Sequence, residues 1–74
     1  MLDIQSAERE AQKLLLAKFP DSEIRFRKAS PILMGGHFIY VFEAELKVGE
    51  STRRVRVQVH GEEGKAVGYD LEPF

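Results

Sequence analysis

The chain contains no cysteine, which excludes a disulfide framework and every thiolate metal site. It has no apolar run approaching 18 residues, so no segment reads as a transmembrane helix. No basic-then-apolar leader stands at its start, and the expected location is therefore cytoplasmic. Neither sign of charge dominates. Eleven basic and 12 acidic side chains leave a net charge of −1, a poor balance for indiscriminate nucleic-acid binding. No Ser/Pro/Gly tract, internal repeat or low-complexity run divides the chain. What is present is 74 residues, 43% hydrophobic and 31% charged, the make-up of one small soluble domain over residues 1–74. A chain of this length buries only about 60% of its unfolded surface, so its core is small and its surface large.

Charge is unevenly spread along the chain. Residues 22–60 carry seven bases (Arg25, Arg27, Lys28, Lys47, Arg53, Arg54, Arg56) against four acids. Residues 61–74 carry Lys65 alone against Glu62, Glu63, Asp70 and Glu72. With no linker between them, these blocks are segments of one domain.

Ile4, Ala7, Ala11, Leu14, Leu15 and Phe19 recur at spacings of three and four, which predicts an amphipathic helix over about 4–18. Leu16 and Ala17 widen its apolar stripe, as a helix lying across a sheet requires. Asp3 or Ser6 can cap its start, and Pro20 ends it by disfavouring a helical conformation at Phe19.

From Ser22 onward the period changes to two. Ile24 and Phe26 alternate with Arg25 and Arg27 in a first strand; Phe38, Tyr40, Phe42, Ala44 and Leu46 form one side of a second. Val55, Val57 and Val59 mark a third strand, and Val67, Tyr69 and Leu71 a fourth. Gly49-Glu50 suits a two-residue type II′ hairpin loop. Pairing Val48 with Ser51 then sets Ala44, Phe42 and Tyr40 opposite Val55, Val57 and Val59, and Glu45 and Glu43 opposite Arg54 and Arg56. A slip of one residue destroys both agreements at once. The turn 61–65 fits a three-residue loop with Gly64 left-handed, which pairs Val59 with Val67, Val57 with Tyr69 and Val55 with Leu71. Residues 28–36 read as an irregular connection. The expected fold is α+β: an N-terminal helix packed on one face of a four-stranded antiparallel meander, α-β-β-β-β.

Two short motifs carry a family resemblance. Ser6-Ala7-Glu8 through Ala11 to Phe19-Pro20-Asp21, and Val57-Gln58-Val59-His60 through Gly64-Lys65-Ala66-Val67, resemble the helix end and the strand-turn-strand of the PepSY domain. The resemblance spans most of residues 6–71; His60 stands where that family usually has Asp, and the connection over 30–36 is longer and more apolar. It implies a non-enzymatic, often extracytoplasmic module that binds or restrains a partner protein. Cystatins also lay a helix across a sheet, but their inhibitory hairpin needs Gln-x-Val-x-Gly, and Gln58-Val59-His60-Gly61 is one residue short.

His37 and His60 are the only histidines, and no nucleophile is spaced to complete a triad with them. His60, Glu62 and Glu63 cluster at a turn, but three flexible side chains with no outer partners read as a solvated turn rather than a metal site. Gly35-Gly36 lacks the glycine pattern and lysine of a phosphate loop. No cofactor or metal is expected, and no catalysis.

The sheet face away from the helix is the stronger candidate. It should display Arg25, Arg27, Ile39, Val41, Arg54, Arg56, Gln58 and His60. If only wet, such a face has little use for adjacent Ile39 and Val41, whereas an apolar centre rimmed by arginine is how an interface is built. The second candidate is the connection at Pro31–Gly36, where Ile32, Leu33 and Met34 form an apolar hook. Both point to a protein partner, or a weak homodimer. The rival is a single-stranded nucleic-acid module on the arginine-rich face; it needs exposed aromatics for stacking, and Phe38, Tyr40 and Phe42 fall on the helix side.

Overall fold

Asp3 sets the start of the helix. In the computed structural model, which describes residues 2–73, α1 spans Ile4–Lys18 with Asp3 as its N-cap. The Ser6 N–H donates to Asp3 Oδ1 at 2.8 Å. That bond, more than any other influence, holds the Asp3 carboxyl below the usual carboxylate range. A depressed acid keeps its bond above that value and loses it below, so the cap is intact at neutral pH and fails only in acid. At the other end the Phe19 N–H closes the last turn on the Leu15 carbonyl at 2.7 Å, and Pro20 prevents another.

Ala7, Ala11 and Leu15 are fully buried, one per turn. The stripe is narrower than predicted: Ile4 is 41% and Leu16 40% exposed. Leu16 projects about 100° around the helix from Leu15, and Ile4 occupies the open first turn.

Four antiparallel strands follow in the order β1 (Glu23–Met34), β2 (His37–Val48), β3 (Ser51–His60) and β4 (Lys65–Leu71). The α+β meander is as expected. Tyr40, Phe42, Ala44, Leu46, Val55, Val57 and Val59 turn inward beneath α1 and, with its three buried residues, make the core. The β2–β3 register is the predicted one throughout, from Val48 opposite Ser51 to Tyr40 opposite Val59. Gly49 has φ +61, while no non-glycine residue among those described has positive φ; this is the pattern of a type II′ turn.

Two expectations are corrected. Residues 28–34 are not a connection: they complete β1, and the link to β2 is Gly35-Gly36 alone. Both glycines have positive φ, +56 and +79, as a type I′ hairpin demands. The long strand is possible because Arg27 is a bulge. Phe26 faces Ala44 and Lys28 faces Glu43, so one residue is skipped and the alternation changes parity. Pro31 is tolerated because β1 is an edge strand, where a missing N–H need interrupt no ladder.

The second correction concerns β4. Val57 faces Tyr69 and Val55 faces Leu71 as expected, but Val59 faces Ala66 rather than Val67. His60 pairs with Lys65, so the loop is the four residues 61–64, and a second bulge leaves Val67 55% exposed. The cause is Gly61, whose backbone is already engaged. Its N–H donates to the Phe38 carbonyl and its carbonyl accepts from the Leu2 N–H, both at 2.8 Å. The Tyr40 hydroxyl donates to the Leu2 carbonyl at 2.9 Å and completes the clasp.

Gly61 is needed for closeness, not for φ. A Cβ there would lie 2.9 Å from Phe38 Cδ1 and 3.1 Å from the Phe38 carbonyl oxygen. Gly61→Ala should therefore destabilise the fold by about 1–3 kcal/mol, the range of small overpacking changes. Urea titration measures it, and a loss under about 0.5 kcal/mol would show that the contact relaxes freely.

Candidate functional site

The helix covers one face of the sheet, and among the described residues no element covers the other. Parity assigns each strand's residues to that open face. From β1 come Glu23, Arg25, Lys28, Ser30, Ile32 and Met34; from β2 His37, Ile39, Val41, Glu43, Glu45 and Lys47; from β3 Thr52, Arg54, Arg56, Gln58 and His60; from β4 Lys65, Gly68 and Asp70. Arg27, at the bulge, reaches Glu45 on the same side.

The two sequence candidates become one surface. Ile32 faces Ile39 across the β1–β2 ladder, Val41 lies two residues further along β2, and Met34 faces His37 at the tip. Ile32, Ile39 and Val41 are half-buried by their neighbours alone, and Met34 is 58% exposed. Together they form an apolar row with no cover. Leu33 does not join it. The bulge sends Leu33 to the helix side opposite Phe38, where it is 75% exposed beyond the reach of α1.

Charge occupies the other half of the face, nearer the β2–β3 turn. Arg54 and Arg56 stand opposite Glu45 and Glu43 as predicted, but the ion pairs run diagonally. Arg54 Nη2 lies 3.4 Å from Glu43 Oε1, and Arg27 Nη1 lies 3.5 Å from Glu45 Oε1. These pairs are exposed and contribute less than about 1 kcal/mol each, so they serve charge pattern more than stability. Glu72 extends the lattice, its Oε1 accepting from the Arg54 N–H at 3.2 Å while its own N–H donates to the Arg54 carbonyl at 3.1 Å. Two shallow hollows of about 390 and 320 Å³ lie among these residues, the first lined by Glu23, Arg25, Glu45 and Lys47, the second by Arg27, Lys28, Glu43 and Arg54. Their walls are ionic and solvated, unlike the mostly apolar lining of a small-molecule site.

One constellation was not legible in the sequence. His60 Nε2 lies 3.1 Å from His37 Nδ1, and the Glu63 N–H donates to His60 Nδ1 at 3.2 Å. The rings meet edge-on, centroids 5.1 Å apart at 61°. The sequence grouped His60 with the Glu62 and Glu63 carboxylates; it is the backbone of Glu63 that reaches the ring. Among the described residues no three His, Cys, Asp or Glu side chains gather as metal ligands.

The aromatic rings of the described Phe and Tyr residues belong to the core side. Phe42 meets Phe26 and Tyr40 at 5.8 and 6.2 Å, and Phe19 meets Tyr69 at 6.1 Å. Among the described residues no helix is long and apolar enough to cross a membrane. No protein-family model, curated protein or solved structure matches this chain.

Proposed function

We propose that this chain is a non-enzymatic interaction module which docks a protein surface on its open sheet face, and that the occupant is a second copy of itself. The observation that carries the reading is the uncovered row Met34, Ile32, Ile39 and Val41, continuous across two strands and bordered by polar and charged groups. Size supports it. The domain measures 40 × 21 × 17 Å, so its broad face approaches the roughly 800 Å² per partner of a standard interface. Charge supports a copy as the partner. The face carries both signs, Arg25, Arg27, Lys28, Lys47, Arg54, Arg56 and Lys65 against Glu23, Glu43, Glu45 and Asp70, and a two-fold contact can set each sign against the other. The resemblance to PepSY modules, which bind partner proteins, points the same way.

Sedimentation equilibrium from micromolar to millimolar concentration tests this. A reversible dimer is expected. Ile39→Thr combined with Val41→Thr should weaken it by about 1–3 kcal/mol, the apolar burial of two aliphatic side chains, or about 5–150-fold in Kd. The fold should persist, because neither residue faces the helix. A chain that stays monomeric at millimolar concentration, or a dimer indifferent to the double change, would overturn the proposal. Salt-dependent binding of a single-stranded RNA oligonucleotide, with shifts on the arginine half of the face, would replace it with the nucleic-acid reading.

A further inference from the structure

We infer that His37 and His60 form a proton-operated gate on this interface, leaving the apolar row free to dock when both rings are neutral and blocking it when they are charged. The inference rests on the open-face reading and adds its regulation. A backbone N–H can only donate, so the Glu63 bond fixes His60 Nδ1 as an acceptor. The neutral His60 ring must then carry its proton on Nε2 and donate it to His37 Nδ1, which leaves the His37 proton on Nε2. A directed chain results, from Glu63 N–H to His60 to His37, complete only with both rings neutral. A first added proton can be held between the rings if the Glu63 bond is given up. A second sets two N–H groups head to head across 3.1 Å, and the rings must part.

The pair sits where its charge matters. His60 faces Ile39 in β2 and His37 faces Met34 in β1, so the rings border half of the apolar row. The ionisable groups on the elements adjoining the pair are Lys65, opposite His60 in β4, Glu62 and Glu63 in the turn, and Asp3, next to the Leu2 that bonds Gly61; the facing part of β1, Ile32 to Met34, has none. Protonating both rings adds two positive charges beside the apolar row. A dimer carries the pair twice, so acid brings four like charges to one interface. These are the chain's only histidines.

The dimerisation constant at pH 7.0 and pH 5.5, in chelator to exclude metal bridging, is the direct measurement. Acid should weaken the dimer about tenfold or more, as like charges brought together in an interface do. His37→Gln combined with His60→Gln should dimerise with nearly the same constant at both pH values. Long-range ¹H–¹⁵N spectra of the imidazoles give an independent readout: both rings should be Nε2–H tautomers at pH 7.0, and the Glu63 amide should shift on acidification. A dimer of pH-independent strength, or a His60 ring protonated on Nδ1 at neutral pH, would overturn the gate and leave the docking face standing. A monomer at both pH values would overturn the gate and the docking face together.

Discussion

Phe42→Ala should cost about 3–5 kcal/mol of folding stability, the range for truncating a buried aromatic. Phe42 is fully buried at the centre of β2, facing Val57 across one ladder, with the rings of Phe26 and Tyr40 against it. In a two-layer domain this thin, few side chains can move to refill its volume. At about 0.05–0.15 kcal/mol per residue, a domain of this size has only about 4–11 kcal/mol to lose, so the variant should lie at the edge of unfolding. Urea titration of both proteins measures the difference. Phe42→Leu, which keeps most of the apolar volume, should retain a resolvable transition if the alanine variant has none. A Phe42→Ala protein within about 1 kcal/mol of the parent would mean that the inward face of β2 has been assigned backwards.

The β2–β3 hairpin was legible because two independent signals agree on one register. Gly49 sets the turn, and the valines of β3 then meet the inward residues of β2 while Arg54 and Arg56 meet glutamates. The edge strands were legible only on one side of their bulges, and for a shared physical reason. Each carries one extra residue, Arg27 in β1 and Val67 in β4, and one extra residue reverses which neighbours face the core. Alternation read outward from Ile24 and Phe26 therefore breaks at Lys28, and Pro31 argues against a strand. In an edge strand it forbids nothing, and it denies a donor to any strand that would add there. The Gly35-Gly36 pair, preceded by Ile32-Leu33-Met34 and followed after His37 by Phe38-Ile39, was the available signal for a tight hairpin.

The same parity governs the candidate site. Ile39 and Val41 could be placed on the open face because β2 is a regular central strand. Ile32 and Met34 join them only once β1 is extended past its bulge, and Leu33 leaves them by the same rule. The histidine pair is a product of register. His37 and His60 lie 23 positions apart and meet because one begins β2 and the other ends β3. No local motif encodes that meeting.

Leu15→Ala set beside Leu16→Ala tests how the helix is seated. These neighbours have the same chemistry and nearly the same helix propensity, yet Leu15 is fully buried and Leu16 is 40% exposed. The docking face of α1 is Ala7, Ala11 and Leu15, in which two small residues let the backbone approach the sheet and one large residue fills the space beside the valines of β3. Leu15→Ala removes the only large, fully buried side chain of the helix and leaves a cavity between the layers, which should cost about 2–5 kcal/mol. Leu16→Ala removes surface already half in water and should cost less than about 1 kcal/mol. Both substitutions leave intrinsic helix propensity as high or higher, so a change in stability reports docking rather than helix formation. Chemical denaturation followed by circular dichroism measures both on one scale. Equal losses would mean that the helix packs loosely, with no unique face. A larger loss at Leu16 would mean that it is rotated about its axis by roughly 100°, and that the core beneath it is built from other residues.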